Sequence, residues 1–151
     1  MKKVFMILVS LILIIGIFVA EGGSIRILLC ISSFIPIYLG TMASCAFTFS
    51  RSEISRAFKH AFTEITIPEK LDIYKQDLQV IRFLSSNIIY WAVTIVILAL
   101  IGILANVSNP SELGPKVAIT CTALLYGFTT RTVLLMPMES SLNKKISDIH
   151  A

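Results

Sequence analysis

A ladder of threonines and one arginine interrupts an otherwise apolar run, residues 117–138, near the end of this chain. Thr120, Leu124, Gly127 and Arg131 recur at i, i+4, i+7 and i+11, which places them on one stripe of a helix. Thr122 and Thr129, seven apart, fall on a second stripe. Hydroxyls inside an apolar helix have two uses. They bond the carbonyl one turn back, or they line a path for water and ions. A charged side chain within a membrane-spanning helix is costly and marks a functional position by default. The competing role for Arg131 is structural: near the end of a span, its stem lies in lipid while the guanidinium reaches the headgroups.

No set of residues arranged for covalent chemistry accompanies these positions. No serine or cysteine has a histidine base at motif spacing, and there is no phosphate loop, metal constellation or paired carboxylate in an apolar run. The acids read as loop or span-end residues. His60 and His150 are far apart and carry no assigned role. Cys30, Cys45 and Cys121 all fall inside apolar segments and read as buried small hydrophobes. The chain is therefore expected to be a non-enzyme without cofactor or metal.

The elements that must position the stripe follow from composition. The 151 residues are 56% hydrophobic and 15% charged, with a mean hydropathy of +0.85. Soluble domains are about 45–50% apolar and about 25% charged, so an all-α integral membrane protein is expected, a single domain over residues 1–151. The net charge of +4 is explained by basic loops and does not point to nucleic acid. Four spans are read at about residues 4–20, 25–49, 84–105 and 115–138. The first could be a leader, but Phe18, three residues before a cut after Ala20, is not small. The second carries Pro36, Gly40, Thr41, Ala43 and Ser44, small residues that let helices approach closely in lipid. Turns are expected at Asn109-Pro110 and Gly114-Pro115, and a stop at Pro137 before a basic tail, Asn143-Lys144-Lys145.

Between the second and third spans, residues 51–83 read as a short cytoplasmic amphipathic hairpin. Ser50 and Glu53 have capping-box spacing. Ile54, Ala57, Phe58, Ala61 and Phe62 form one apolar stripe, with Arg56, Lys59 and His60 off it. Packing on the next helix is preferred over lying on anionic headgroups. After Pro68, Leu71, Tyr74, Leu78 and Ile81 share a face, and no breaker separates them from the third span, so one helix over about residues 69–105 is expected. Tyr90 and Trp91 suit an interfacial belt. With four spans, ten of the lysines and arginines share one side, and only Arg26 and Lys116 flank the other. By the positive-inside rule both termini and the hairpin are cytoplasmic.

The run LGPKVAITCTALLYGFTTRTVLLMPMESSLNKK resembles the last transmembrane helix of the MotA/TolQ/ExbB proton-channel family, nearest its MotA branch. The shared frame is Leu113-Gly114-Pro115, Leu125-Tyr126-Gly127, Pro137 and the basic stop. Leu39-Gly40-Thr41 through Phe49 to Ser52-Glu53-Ile54 and Arg56-Ala57-Phe58-Lys59 is similar to that branch's second helix. Leu100-Ile101-Gly102 and Asn109-Pro110-Ser111 agree as well, with Gly40, Thr41, Gly102 and Pro137 as packing positions. The resemblance implies a bacterial inner-membrane protein that forms a five-fold ring around a single-span MotB/TolR/ExbD-like partner carrying the ion-binding aspartate. The transported ion would be a proton or Na+, driven by the proton motive force or its sodium counterpart. The chain departs from the pattern at several places, among them Ala92 and Leu98, near which the resemblance implies a proline and a glycine of the preceding helix. The family's threonine of the last helix falls at Leu124, that of the preceding helix near Ala99, and Arg131 adds a charge to the Leu124 stripe. The cytoplasmic region is also much shortened. A reduced or divergent subunit is expected, or a non-conducting scaffold that keeps the fold.

Overall fold

The computed structural model describes residues 2–22, 31–63, 71–106 and 110–150. Among these the chain is helical, with no strand. The first helix, α1 (Lys2–Ala20), is apolar on all sides and closes on Gly22, whose φ of 82° is open to glycine at little cost. α2 (Ile31–Thr48) runs unbroken through Pro36. The expected start of the second span near residue 25 and Cys30 lie outside the described residues, as does Pro68.

Ser50 then caps α3 (Arg51–Phe62) with a complete capping box. Its hydroxyl accepts from the Glu53 N–H, and the Glu53 carboxylate accepts from the Ser50 N–H. The long helix expected before Ala105 forms as α4 (Leu71–Ala105), 35 residues with no proline and one glycine, Gly102. At 1.5 Å per residue it measures about 50 Å, against about 30 Å for a bilayer core. A 3-10 turn at Pro110–Glu112 leads into α5 (Leu113–Thr129). Gly114 and Pro115 are not a turn but the first turn of α5, where proline's missing N–H would be unpaired in any case.

The expected stop at Pro137 is also overturned. The chain passes from α5 through a π-helical segment, Thr130–Leu135, into α6 (Met136–His150) without a break. The Met136 N–H bonds the Arg131 carbonyl five residues back. That wider turn loosens the i−4 bonding which proline would interrupt, and it leaves Pro137 in the first turn of α6, where the ring is tolerated. The basic tail is accordingly helical, and Lys145 within it is buried.

α4 is the spine. It packs on α2, α3, α5 and α6, and the core runs along it from Tyr74 to Ala92, joined by Ile37, Cys45, Ala57, Ala61, Ala123 and Leu142. α1 touches mainly the π segment. Cys45 is buried as expected, whereas Cys121 is exposed on the side of α5 turned away from α4. Two helices, Leu71–Ala105 and Pro110–Ile149, are long and apolar enough to cross a membrane. The α2–α3 pair makes a third if counted as one bent span; Phe5–Ala20 is apolar but shorter. Tyr90, Ile97, Leu98, Ile101 and Leu104 of α4 are all more than half exposed. Such a face belongs in lipid or against other apolar surfaces.

Candidate functional site

The polar stripe of α5 meets α4 in a close helix approach. A Cβ on Gly127 would lie 2.6 Å from the Ala92 Cβ and 3.4 Å from the Ile88 carbonyl, so only glycine lets the backbones come this near. Thr120, Thr122 and Ala123 are buried beside it, and Leu124 and Thr129 are half-buried. The Thr120 hydroxyl donates to the Lys116 carbonyl at 3.0 Å, and the Thr122 hydroxyl to the Ile119 carbonyl at 2.6 Å. Both donors are therefore spent on their own helix, which leaves the oxygens as acceptors only. Thr130 pairs with the Tyr38 hydroxyl of α2.

Arg131 stands in the π segment, half-buried. Its Nε is shielded from solvent and has no hydrogen-bond partner. Ser85 of α4, 3% exposed, has an unpartnered hydroxyl as well. Ser85 lies two turns below Ala92 on the same face, and Arg131 lies one turn beyond Gly127, so both sit along the same seam. Ala99 is half-buried on α4, farther up the helix.

The packing positions divide. A Cβ on Gly40 would overlap the Trp91 ring at Cδ2, Cε2 and Cε3, and the Trp91 Nε1–H donates to Ser44 Oγ at 3.0 Å. Trp91 is thus a wedge between α2 and α4 rather than a belt residue, while Tyr90 is 69% exposed. Thr41 is buried and donates to the Ile37 carbonyl. Gly102 is exposed and a Cβ there would meet nothing within 4 Å, so no close approach is made at it within this chain. Pro137 is exposed along an apolar cleft of about 620 Å3 between α1 and the π segment, lined also by Met6, Ser10 and Thr132.

A second cluster, unassigned from the sequence, ties α3, α4 and α6 together. Asp77 is fully buried in α4. Its carboxylate meets Arg56 Nε at 2.9 Å and His60 Nδ1 at 2.5 Å, both on α3. Lys145 of α6 donates to the His60 carbonyl at 2.7 Å and lies 5.3 Å from the centre of the Tyr74 ring. The Ser141 hydroxyl donates to the Ala61 carbonyl at 3.0 Å. The expectation that every acid sits in a loop or at a span end fails at Asp77, and His60 has company after all. A signal was present: Asp77 falls on the face that carries Tyr74, Leu78 and Ile81. An acid there must be paired when the face is buried. Among the described residues, no group of three or more His, Cys, Asp and Glu side chains could hold a metal ion.

No family model and no curated protein matches the chain.

Proposed function

We propose that this chain is a channel- or stator-type subunit of an ion-driven bacterial inner-membrane complex, resembling the MotA/TolQ/ExbB family in reduced form. It has four spans, with both termini and α3 on the cytoplasmic side. It assembles with copies of itself and with a single-span partner that carries the ion-binding acid. The observation that carries this reading is the antiparallel pair formed by α4 with α5–α6. Both rods exceed a bilayer's thickness and are joined at Gly127 and Ala92. Their protruding ends are joined through α3, where Asp77 of α4 meets Arg56 and His60, and Ser141 and Lys145 of α6 reach the Ala61 and His60 carbonyls. The upper face of α4 is apolar and uncovered, which suits lipid and neighbouring copies. The motifs Leu113-Gly114-Pro115 and Leu125-Tyr126-Gly127 agree with the family's last helix.

A second reading, a scaffold that keeps the fold without an ion path, draws on different observations. Leu124 and Ala99 carry no hydroxyl, the Thr120 and Thr122 donors are spent within α5, and Arg131 adds a cation to the seam.

The deciding experiment is the mass of the complex purified in mild detergent with its genomic neighbours co-expressed. Several copies of this chain with a small single-span protein support both family readings, and proton or Na+ flux then separates the channel from the scaffold. A monomer without such a partner overturns both.

A further inference from the structure

α2 and α3 meet at an angle of 111° across Phe49 and Ser50. If α2 crosses the bilayer, a turn roughly 20° past a right angle lays α3 close to the membrane plane instead of sending it into the cytoplasm. The side of α3 that faces the membrane follows from its contacts. The Phe49 and Phe83 rings touch, with centroids 5.5 Å apart, which sets the level on α4 at which α3 begins. Arg56 and His60 reach Asp77, six residues nearer the start of α4 and so about 9 Å farther from the bilayer. The face bearing Arg56 and His60 therefore points away from the membrane, and Ala57 and Ala61 point into the bundle. Helical spacing puts Phe62 and Arg51 on the opposite, membrane-proximal face, with Ser55 and Lys59 on its outer flank and Phe58 on its inner flank, packed against the core.

That face has the chemistry of an interfacial anchor. Phe62 is 40% exposed, and Phe47, at the end of α2, is 93% exposed at the same end of the bundle. Arg51 and Lys59 are exposed and form no ion pair among the described residues. The one acid of α3, Glu53, is occupied by the capping box. Aromatic rings flanked by uncompensated cations suit a surface of anionic headgroups over apolar chains. We infer that α3 lies on the cytoplasmic leaflet and that its Arg51–Lys59–Phe62 face takes the headgroups of anionic phospholipids. The Asp77 clasp positions the helix, since it pulls the opposite face toward the cytoplasm. This inference rests on the proposed membrane topology and goes beyond it.

The test places spin labels on the full-length protein in bilayers of phosphatidylcholine with increasing phosphatidylglycerol. Cys30, Cys45 and Cys121 are replaced by Ala, and single labels are carried at Ser55→Cys, Leu98→Cys and Asp148→Cys. Relative accessibility to oxygen and to a water-soluble nickel complex reports depth. A Leu98 label that is not lipid-immersed overturns the topology itself. With Leu98 immersed and Asp148 aqueous, the inference expects the Ser55 label at headgroup depth, moving inward as phosphatidylglycerol rises. Removing cations by Arg51→Gln or Lys59→Gln should raise the phosphatidylglycerol fraction needed for half of that shift by roughly fivefold each, and Arg51→Lys should restore most of it. A Ser55 label as aqueous as Asp148 in every lipid overturns the inference, and so does a depth that is the same with and without phosphatidylglycerol.

Discussion

Gly127 and Ala92 face each other across the α4–α5 seam so closely that a methyl group on Gly127 would lie 2.6 Å from the Ala92 Cβ. The approach sets the register of the two longest rods. It also decides which side chains of α5 are buried. Gly127→Val should cost about 1–3 kcal/mol, the usual penalty for overpacking, and should lower the melting temperature in detergent. Gly127→Ala should cost less, and combining it with Ala92→Gly should recover most of the loss. If the double variant melts no higher than Gly127→Ala alone, the two positions are not coupled and the seam is wrongly drawn.

Asp77 gives a test of the clasp. Substitution by Ala removes the buried carboxylate and its two bonds to α3, while Arg56, one-third exposed, can turn to solvent, so the cost should be about 1.5–3 kcal/mol. Arg56→Ala should cost at least as much, because it takes a cation from the fully buried Asp77 carboxylate, and the stranded charge of a broken buried pair carries the penalty. Limited proteolysis after Arg51 and Arg56 reads the release of α3 from α4. Cleavage should be fast in Asp77→Ala and slow in the wild type. Equal rates would show that the clasp does not hold α3.

Glu53 carries a pH dependence whose sign is fixed. Its carboxylate accepts first from the Ser50 backbone N–H and then from the Ser50 hydroxyl, which holds it below the ordinary glutamate value of 4.5. With the folded value below the unfolded one, ionised Glu53 supports the first turn of α3 above about pH 4.5, and the support is lost as pH falls through the folded value. Amide exchange at Glu53 and Ile54, corrected for intrinsic rates, should therefore show falling protection under acid. Glu53→Gln should flatten that profile. A profile identical in both proteins would exclude the carboxylate as its source.

Leu124 tests the ion path. Leu124→Thr returns a hydroxyl to the stripe between Thr120 and Gly127. In cells that co-express the partner complex, proton leak should rise several-fold, read as cytoplasmic acidification on acid challenge. Unchanged cytoplasmic pH at normal expression would count against this stripe as the conducting one and favour the scaffold reading.

The rods were legible because their signals are local. An unbroken run from Leu71 to Ala105 and the Ser50–Glu53 box depend on neighbours in sequence, and both elements form as read. Gly40 and Gly102 were indistinguishable as small residues in apolar runs. Only the fold reveals that one receives the Trp91 ring and the other faces open space. The place of Asp77 on the Tyr74 face foretells its burial. Its partners are not foretold, because Arg56 and His60 lie about twenty residues away and arrive through the bend after α2. Pro137 misled for a physical reason. Proline ends a regular helix, but a preceding π turn removes the conflict, and such a turn leaves no mark in hydrophobic periodicity.

That π turn also fixes the phase between two halves of one rod. A turn with one extra residue shifts everything after it by about 100° relative to a regular helix. Met138, Leu142 and Lys145 thereby face α3 and the lower part of α4, while Thr120 and Gly127 keep to the upper part. Take one residue out of Thr130–Leu135 and the helix could become regular, yet Lys145 would swing away from His60 by more than a quarter of a revolution. The segment thus acts as a crank offset: it sets the angle at which α6 meets α3 beside the Asp77 clasp, through continuous helix and with no loop to absorb a change.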